Sequence, residues 1–347
     1  MNNVHPRTDR PLMMSDLVIP TLDDMRAAAR TLAPHIAATP VHHWIGPELE
    51  RRIAPGTQVF LKLELFQRTG TFKIRGALLN LIALDEEARR RGVTAVSAGN
   101  HAIAVACAAH SMGVSAKVVM MASANPARVA AARAFGAEVL FAPDGATAFA
   151  LAAEIAADEG RSFIHPFDGI GVTTGTGTVG LELMSSVPDL DAVLVAVGGG
   201  GLPGGVAAAV KQINPKCAVY GVEAYGNDVM YRSFAAGSPQ KQDKSTTICD
   251  SLSPPAVTPG SYALCQHFID EIVRVEDDAI CAALAVLFRE MKLAVEPAGA
   301  AATAALFGPL RDRLAGKRVG VIVCGANIDA DGFYEFLKRG EAVPGMQ

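Results

Sequence analysis

Apolar positions along the chain follow two alternating rhythms. Short runs rich in Val, Leu, Ile and Met read as strands: Val59–Leu63, Val93–Ser97, Lys117–Met121, Glu138–Phe141, Ala192–Val197, Val219–Val222 and Val319–Val323. Ala-rich stretches with helical spacing read as helices: Asp23–His35, Lys73–Leu84, Asn100–Met112, Pro126–Phe135, Gly204–Ile213 and Asp278–Leu293. Strand and helix in turn are the signature of a parallel α/β architecture. Several strands run straight into Gly-rich or Asn-containing turns, the edge where open α/β sheets place ligands. No repeat or heptad run is visible. The least patterned stretch, Gly237–Pro259, reads as a surface loop rather than a domain linker, because sheet-like patterning resumes beyond it.

At 347 residues the chain exceeds one ordinary core, and two packed domains are expected. Half of the residues are hydrophobic, yet Ala and Gly supply much of that share, so helices can lie close to a sheet. A net charge of -4 excludes the basic stripe of a nucleic-acid binder. No apolar run reaches the ~20 residues that cross a bilayer, so no membrane partner is expected. The opening MNNVHPRTDRPLMMSDL lacks the apolar core of a signal peptide. Residues 1–18 are therefore expected to be a flexible leader, and the protein cytoplasmic. The six cysteines show no C-x-x-C spacing and no zinc-like pairing with His. Five read as small hydrophobes of a reduced compartment; Cys324 stands apart for the reason below.

Three segments carry chemistry. In Leu63–Ala77 a lysine, Lys73, follows a strand and a small polar turn and opens an apolar helix. A helix start disfavours an ammonium, which lowers its pKa and suits it to imine formation and base chemistry. Taken alone, Lys73 is equally well an ordinary surface lysine. In Ser97-Ala98-Gly99-Asn100-His101 a strand ends at a helix start, whose free N–H groups can hold a carboxylate or phosphate. Asn100 can donate to a ring oxygen, whereas His101 by itself reads as structural. In Val197–Gly205 four consecutive glycines, Gly198, Gly199, Gly200 and Gly201, let the backbone curl around a phosphate. Gly199, Gly201 and Gly204 also satisfy G-x-G-x-x-G, with Glu223 about 20 residues on, so an NAD-dependent dehydrogenase is the rival reading. Against it, nearly 200 residues precede the motif, and the other two segments would have no purpose.

Together, Thr71–Ala77, Ser97–His101, the loop 198–201, Glu296–Ala300 and Cys324–Asn327 resemble, in order, the threonine/serine dehydratase family. These are fold type II pyridoxal-phosphate enzymes, similar to tryptophan synthase β and related to serine racemase; the resemblance spans roughly residues 20–335. It implies two open twisted α/β domains with pyridoxal 5′-phosphate between them. A large discontinuous domain would comprise 19–84 and 166–340, and a small mobile one 85–165. Lys73 would carry the cofactor as a Schiff base and then act as base on the substrate Cα. Phe72 would pack beside the ring, Asn100 would donate to its 3′-oxygen, and Gly198 through Leu202 would cradle the phosphate. The backbone at Ser97, Ala98, Gly99, Asn100 and His101 would hold the substrate carboxylate. Cys324 stands where many relatives have Ser, facing the pyridine nitrogen. The implied activity is that of an ammonia-lyase: water is eliminated from a small β-hydroxy amino acid, L-threonine or L-serine, giving a 2-keto acid and ammonia. The alternatives are the same reaction on 3-hydroxyaspartate, phenylserine or a similar compound, or amino-acid racemisation.

Departures refine the expectation. Serine racemase has a Ser directly before Gly-Asn-His, and Ala98 has no proton to give, which favours dehydration. The usual G-Q-G-T turn is Gly175–Thr178, and the usual A-D-G is Cys249-Asp250-Ser251. Some relatives bind a divalent cation through a Glu and a later Asp. Glu223 matches the first, but Val229 replaces the second with Asp228 one place off, so no metal is expected. No C-terminal regulatory domain is expected either. Relatives form dimers or tetramers, so a homo-oligomer is expected. A protein that keeps the fold without catalysis is the remaining class; intact Lys73, Asn100 and glycine loop argue against it.

Overall fold

The structure, a computed structural model, describes residues 17–97 and 99–344. Most of the expected leader, and Ala98 with the inference drawn from it, lie outside the described residues. The strands fall into two sheets. The larger runs β1 (Val41–Trp44), β2 (Gln58–Leu63), β10 (Arg318–Val323), β7 (Ala192–Ala196), β8 (Ala218–Ala224), β9 (Glu271–Val275) in spatial order. Only the β1–β2 pair is antiparallel. The smaller is wholly parallel, in the order β5 (Glu138–Ala142), β4 (Ala116–Met121), β3 (Val93–Val96), β6 (Ser162–Phe163).

The predicted strands are present because parallel strands covered on both faces read as unbroken apolar runs. Every residue of β7 is buried, and all but the first of β10. The strands that the pattern misses are those without such a run. β1 is Val-His-His-Trp with two exposed histidines, β6 has only two residues, and the run of β9 is broken by half-buried Glu271 and Arg274. Gly175–Thr178, expected as a turn, lies inside the helix Ile170–Ser186. Its small residues serve close packing: a Cβ on Gly175 would come within 2.8 Å of Gly76 Cα, and Thr176 Oγ1 donates to Gly201 O at 2.7 Å. That helix therefore rests on both the Lys73 helix and the glycine-loop helix, and these four residues are not part of the cavity lining.

The helix Lys73–Ile82 is fixed at its first turn by a buried ion cluster. Arg75, fully buried, donates to both oxygens of Glu64 at 2.8 Å and to both of Glu182 at 2.6 and 2.8 Å. Lys62 Nζ bonds Glu182 at 2.5 Å and Thr39 O at 2.7 Å. Burial works to raise the Glu182 carboxyl, but Arg75 and Lys62 hold it below its ordinary pKa. A depressed carboxyl contributes stability that is present above its unfolded pKa and lost as pH falls through the folded one. Removing one partner strands a buried charge. Arg75→Leu is expected to lower unfolding stability by about 3–5 kcal/mol, measured by urea denaturation at neutral pH. A loss under about 1 kcal/mol, typical of a surface pair, would show that the cluster does not hold the helix.

Candidate active site

A cavity of about 640 Å³ opens where the C-terminal ends of the central strands of both sheets meet, lined by residues from nearly every segment singled out in the sequence. β2 and β10 pair in parallel up to Leu63 and Val323, so the chain leaves both strands at the same edge. The turn before Lys73 then stitches to the end of β10. Phe72 N donates to Cys324 O at 3.4 Å, Ala326 N donates to Gly70 O at 3.0 Å, and Thr71 bridges Gly325. Gly70, at φ +72°, makes that turn, where an L side chain would be strained. Lys73, Phe72 and Cys324 are brought into one cavity this way.

Lys73 Nζ donates to Pro166 O at 2.6 Å. Its pKa falls to about 8, chiefly because burial disfavours the ammonium, with the Glu296 carboxylate among the groups that oppose the fall. The lowering expected from the helix start is therefore present, with desolvation as its main cause. Cys324 Sγ donates to Ala298 O at 3.4 Å, and burial pushes the thiol far up, so it stays neutral.

Asn100 opens the helix Asn100–Ser111 with its amide fully engaged. Nδ2 donates to Glu296 Oε1 at 2.7 Å and to Ser251 Oγ at 3.2 Å, while Oδ1 accepts from Asn327 Nδ2 at 2.9 Å. Ser97 Oγ accepts from Gly99 N at 3.0 Å, and the N–H groups of Asn100 and His101 meet no acceptor among the described residues. His101 Nε2 lies 2.8 Å from Ile164 O. Burial holds its ring neutral, with the pKa lowered to about 3, so it fits the structural reading. The loop Gly198–Gly201 joins β7 to the helix Gly201–Ile213, with Gly200 at φ +98°. The N–H groups of Gly199, Gly200, Gly201 and Leu202 donate to no acceptor among the described residues.

Glu223 is not in the cavity lining. Its two oxygens accept from Met230 N at 2.9 Å and Tyr231 N at 2.7 Å, capping the helix Val229–Ala236, and burial raises its pKa to about 8. Asp228 pairs instead with Arg232 and Arg274. Among the described residues no group of three or more His, Cys, Asp or Glu is placed to hold a metal ion.

Four contributors were not assigned from the sequence. Glu296 is fully buried among small residues, and its pKa rises to about 7 through burial, with Arg128 opposing. Arg128 reaches it from the smaller sheet's helix Pro126–Ala134 at 3.2 Å. Ser251 meets Asn100, and Phe149 lines the cavity from the helix Gly145–Glu159. Glu296 and Arg128 left a trace in the sequence: Glu296 is a lone charge in an Ala-rich segment, and Arg128 is a cation near a helix start, where the dipole disfavours it.

Free N–H donors at a helix start suit a phosphate, a desolvated amine suits an aldehyde, and a neutral thiol suits a ring nitrogen. Two α/β layers with these groups converging between them define a cofactor-dependent enzyme built to bind an aromatic phosphate aldehyde. Residues 32–325 match the family model described as pyridoxal-phosphate dependent enzyme. The chain is 49% identical to phenylserine dehydratase of Ralstonia pickettii over 94% of its length and 100% of that protein. It is 35% identical to L-threonine ammonia-lyase of Thermotoga maritima over 92% of this chain and 79% of that one. Maize serine racemase superposes with a TM-score of 0.86 at 31% identity, covering 93% of this chain and 98% of the other. The chain belongs to the pyridoxal-phosphate-dependent enzymes of fold type II, in the dehydratase and ammonia-lyase group. The dinucleotide reading of Gly199, Gly201 and Gly204 falls with that membership.

We propose that Lys73 is the residue that takes up the cofactor; since only a free amine reacts, cofactor loading of the apo-protein is expected to accelerate with pH through about 8 and to level off above it. Stopped-flow absorbance of the bound cofactor checks this. A plateau reached only near the ordinary lysine value of ~10.4 would contradict the desolvated amine.

Proposed function

We propose that this enzyme eliminates water from a β-hydroxy amino acid carrying an aryl group, releasing the 2-keto acid and ammonia. The observation that carries this reading is the apolar part of the cavity lining. Phe149 and Met121 from the smaller sheet's side share the cavity with Leu252, Pro254, Pro255 and Ala256. The Phe149 ring is packed against Phe163 and His165, at centroid distances of 6.3 and 6.2 Å, which gives a preorganised aromatic surface. The full-length similarity to phenylserine dehydratase supports the same substrate class.

The bound cofactor supplies an electron sink for charge developing at the substrate Cα. This chain supplies the rest. Lys73 Nζ would hold the cofactor and, as a free amine, would take the Cα proton of the substrate. The N–H groups of Gly199 through Leu202 would hold the phosphate, and Phe72 would lie beside the ring. The backbone N–H groups of Asn100 and His101 would seat the substrate carboxylate. Cys324 keeps its proton and offers no negative charge to the ring nitrogen, so expulsion of the β-hydroxyl is favoured over a long-lived carbanion. The division into a large unit (19–84 and 166–340) and a small unit (85–165) that closes on the substrate belongs to this reading. So does assembly as a cytoplasmic dimer or tetramer.

The test compares kcat/KM for L-threo-phenylserine, L-threonine and L-serine. Since each additional buried methylene is worth about tenfold or more in discrimination, phenylserine is expected to lead by at least about tenfold, and Phe149→Ala to shrink that lead. Faster turnover of threonine would place the enzyme with the threonine ammonia-lyases instead. Separately, Cys324→Ser is expected to retain elimination and Cys324→Asp to damage it. Equal activity of the two variants would remove the thiol from the ring contact.

A further inference from the structure

Arg128 is assigned no role by anything above, yet it is among the most constrained side chains at the site. Its side chain is only 7% exposed, and it leaves the smaller sheet's helix Pro126–Ala134 to make three bonds to the larger layer. Nε donates to Asn327 O at 2.8 Å, one terminal nitrogen meets Asp250 Oδ2 at 2.5 Å, and the other meets Glu296 Oε2 at 3.2 Å. On the same helix cap, Asn125 Nδ2 donates to Asp329. Two of the groups that Arg128 grips are themselves the partners of Asn100: Glu296 through Oε1 and Asn327 through Nδ2. The stem of Arg128 also lies directly under Gly99. A Cβ there would come within 2.3 Å of Arg128 Cδ and 3.0 Å of Nε. A side chain at position 99 would therefore have to push the Arg128 stem aside.

We infer that Arg128 is a positioning residue: it latches the smaller sheet's helix onto the larger layer and, through Gly99 and the Glu296–Asn100 pair, sets the helix start that receives the substrate's α-carboxylate. The guanidinium does this in two ways. It fixes the loop sterically from below. It also balances two carboxylates, Asp250 and Glu296, that would otherwise oppose an incoming anion in a poorly solvated pocket. The inference rests on the reading of the Ser97–His101 segment as the carboxylate seat.

The experiment uses the cofactor-loaded enzyme and two ligands, L-threo-phenylserine and 2-amino-1-phenylethanol, which lacks the carboxylate. Binding is read from the visible absorption of the cofactor, and kcat and KM from keto-acid release. Arg128→Gln is expected to raise KM and the spectral Kd for phenylserine roughly tenfold to hundredfold, within the range of ordinary coupling energies, with a smaller change in kcat. Affinity for the carboxylate-free amine and for the cofactor should stay close to wild type. Arg128→Lys should recover part of the loss. If Arg128→Gln does not fold, Arg128→Lys, which keeps the charge but not the three-way grip, should still raise the phenylserine Kd selectively. An unchanged Kd, or an equal loss for both ligands, overturns the inference while leaving the carboxylate seat standing. A wild-type enzyme that binds both ligands equally well removes the seat, and the inference with it.

Discussion

Arg75 fills the space between two carboxylates at the first turn of the helix Lys73–Ile82, and the placement of the reactive amine depends on that contact. Glu64 comes from the short turn after β2 and Glu182 from the helix Ile170–Ser186. One guanidinium thus ties the strand that leads into Lys73 to the helix that backs it. Lys62, on β2 itself, closes the cluster through Glu182. Such a pair contributes little net stability over an apolar equivalent, but it admits few alternative geometries. Its value here is in fixing where Lys73 sits relative to β10 and Cys324.

The groups around the cavity take their chemical character mainly from desolvation rather than from strong local fields. Burial lowers Lys73 to about 8 and holds His101 neutral, raises Glu296 to about 7, and keeps Cys324 protonated. A lysine that is readily a free amine and a thiol that stays neutral are both outcomes of one dry setting between two layers. The charges that remain, Arg128 with Asp250 and Glu296, are paired across those layers.

Much of this was legible in the sequence, for stated physical reasons. Strands buried on both faces, β7 and β10, announce themselves as apolar runs, and glycine loops at strand ends mark where backbone N–H groups lie free. Lys73, Asn100, the loop 198–201 and Cys324 do converge on one cavity. What was not legible depends on contacts between distant segments. Phe149 is one aromatic in an Ala-rich helix until folding brings it to the cavity, and Arg128 is one of two arginines in an Ala-rich helix until it meets Asp250 and Glu296. The stretch Gly237–Pro259 lacks any period because it is held by a bridge between Lys241 and Ala256 and by single bonds such as Gln242 N to Pro255 O. It is a loop, as expected, but one that lines the cavity. Gly175–Thr178 misled in the opposite sense: glycines that suggest a turn serve instead to let helices touch.

The central claim is that the Lys73 amine drives elimination rather than proton return to the substrate. The direct measurement follows an enantiopure aryl β-hydroxy amino acid with the cofactor-loaded enzyme in deuterated buffer, assaying keto acid, ammonia and recovered substrate together. The account predicts keto acid and ammonia in equal amounts, recovered substrate of unchanged configuration, and loss of both products in Lys73→Ala. Recovered substrate that is racemised and deuterated at Cα, with little keto acid, would contradict it.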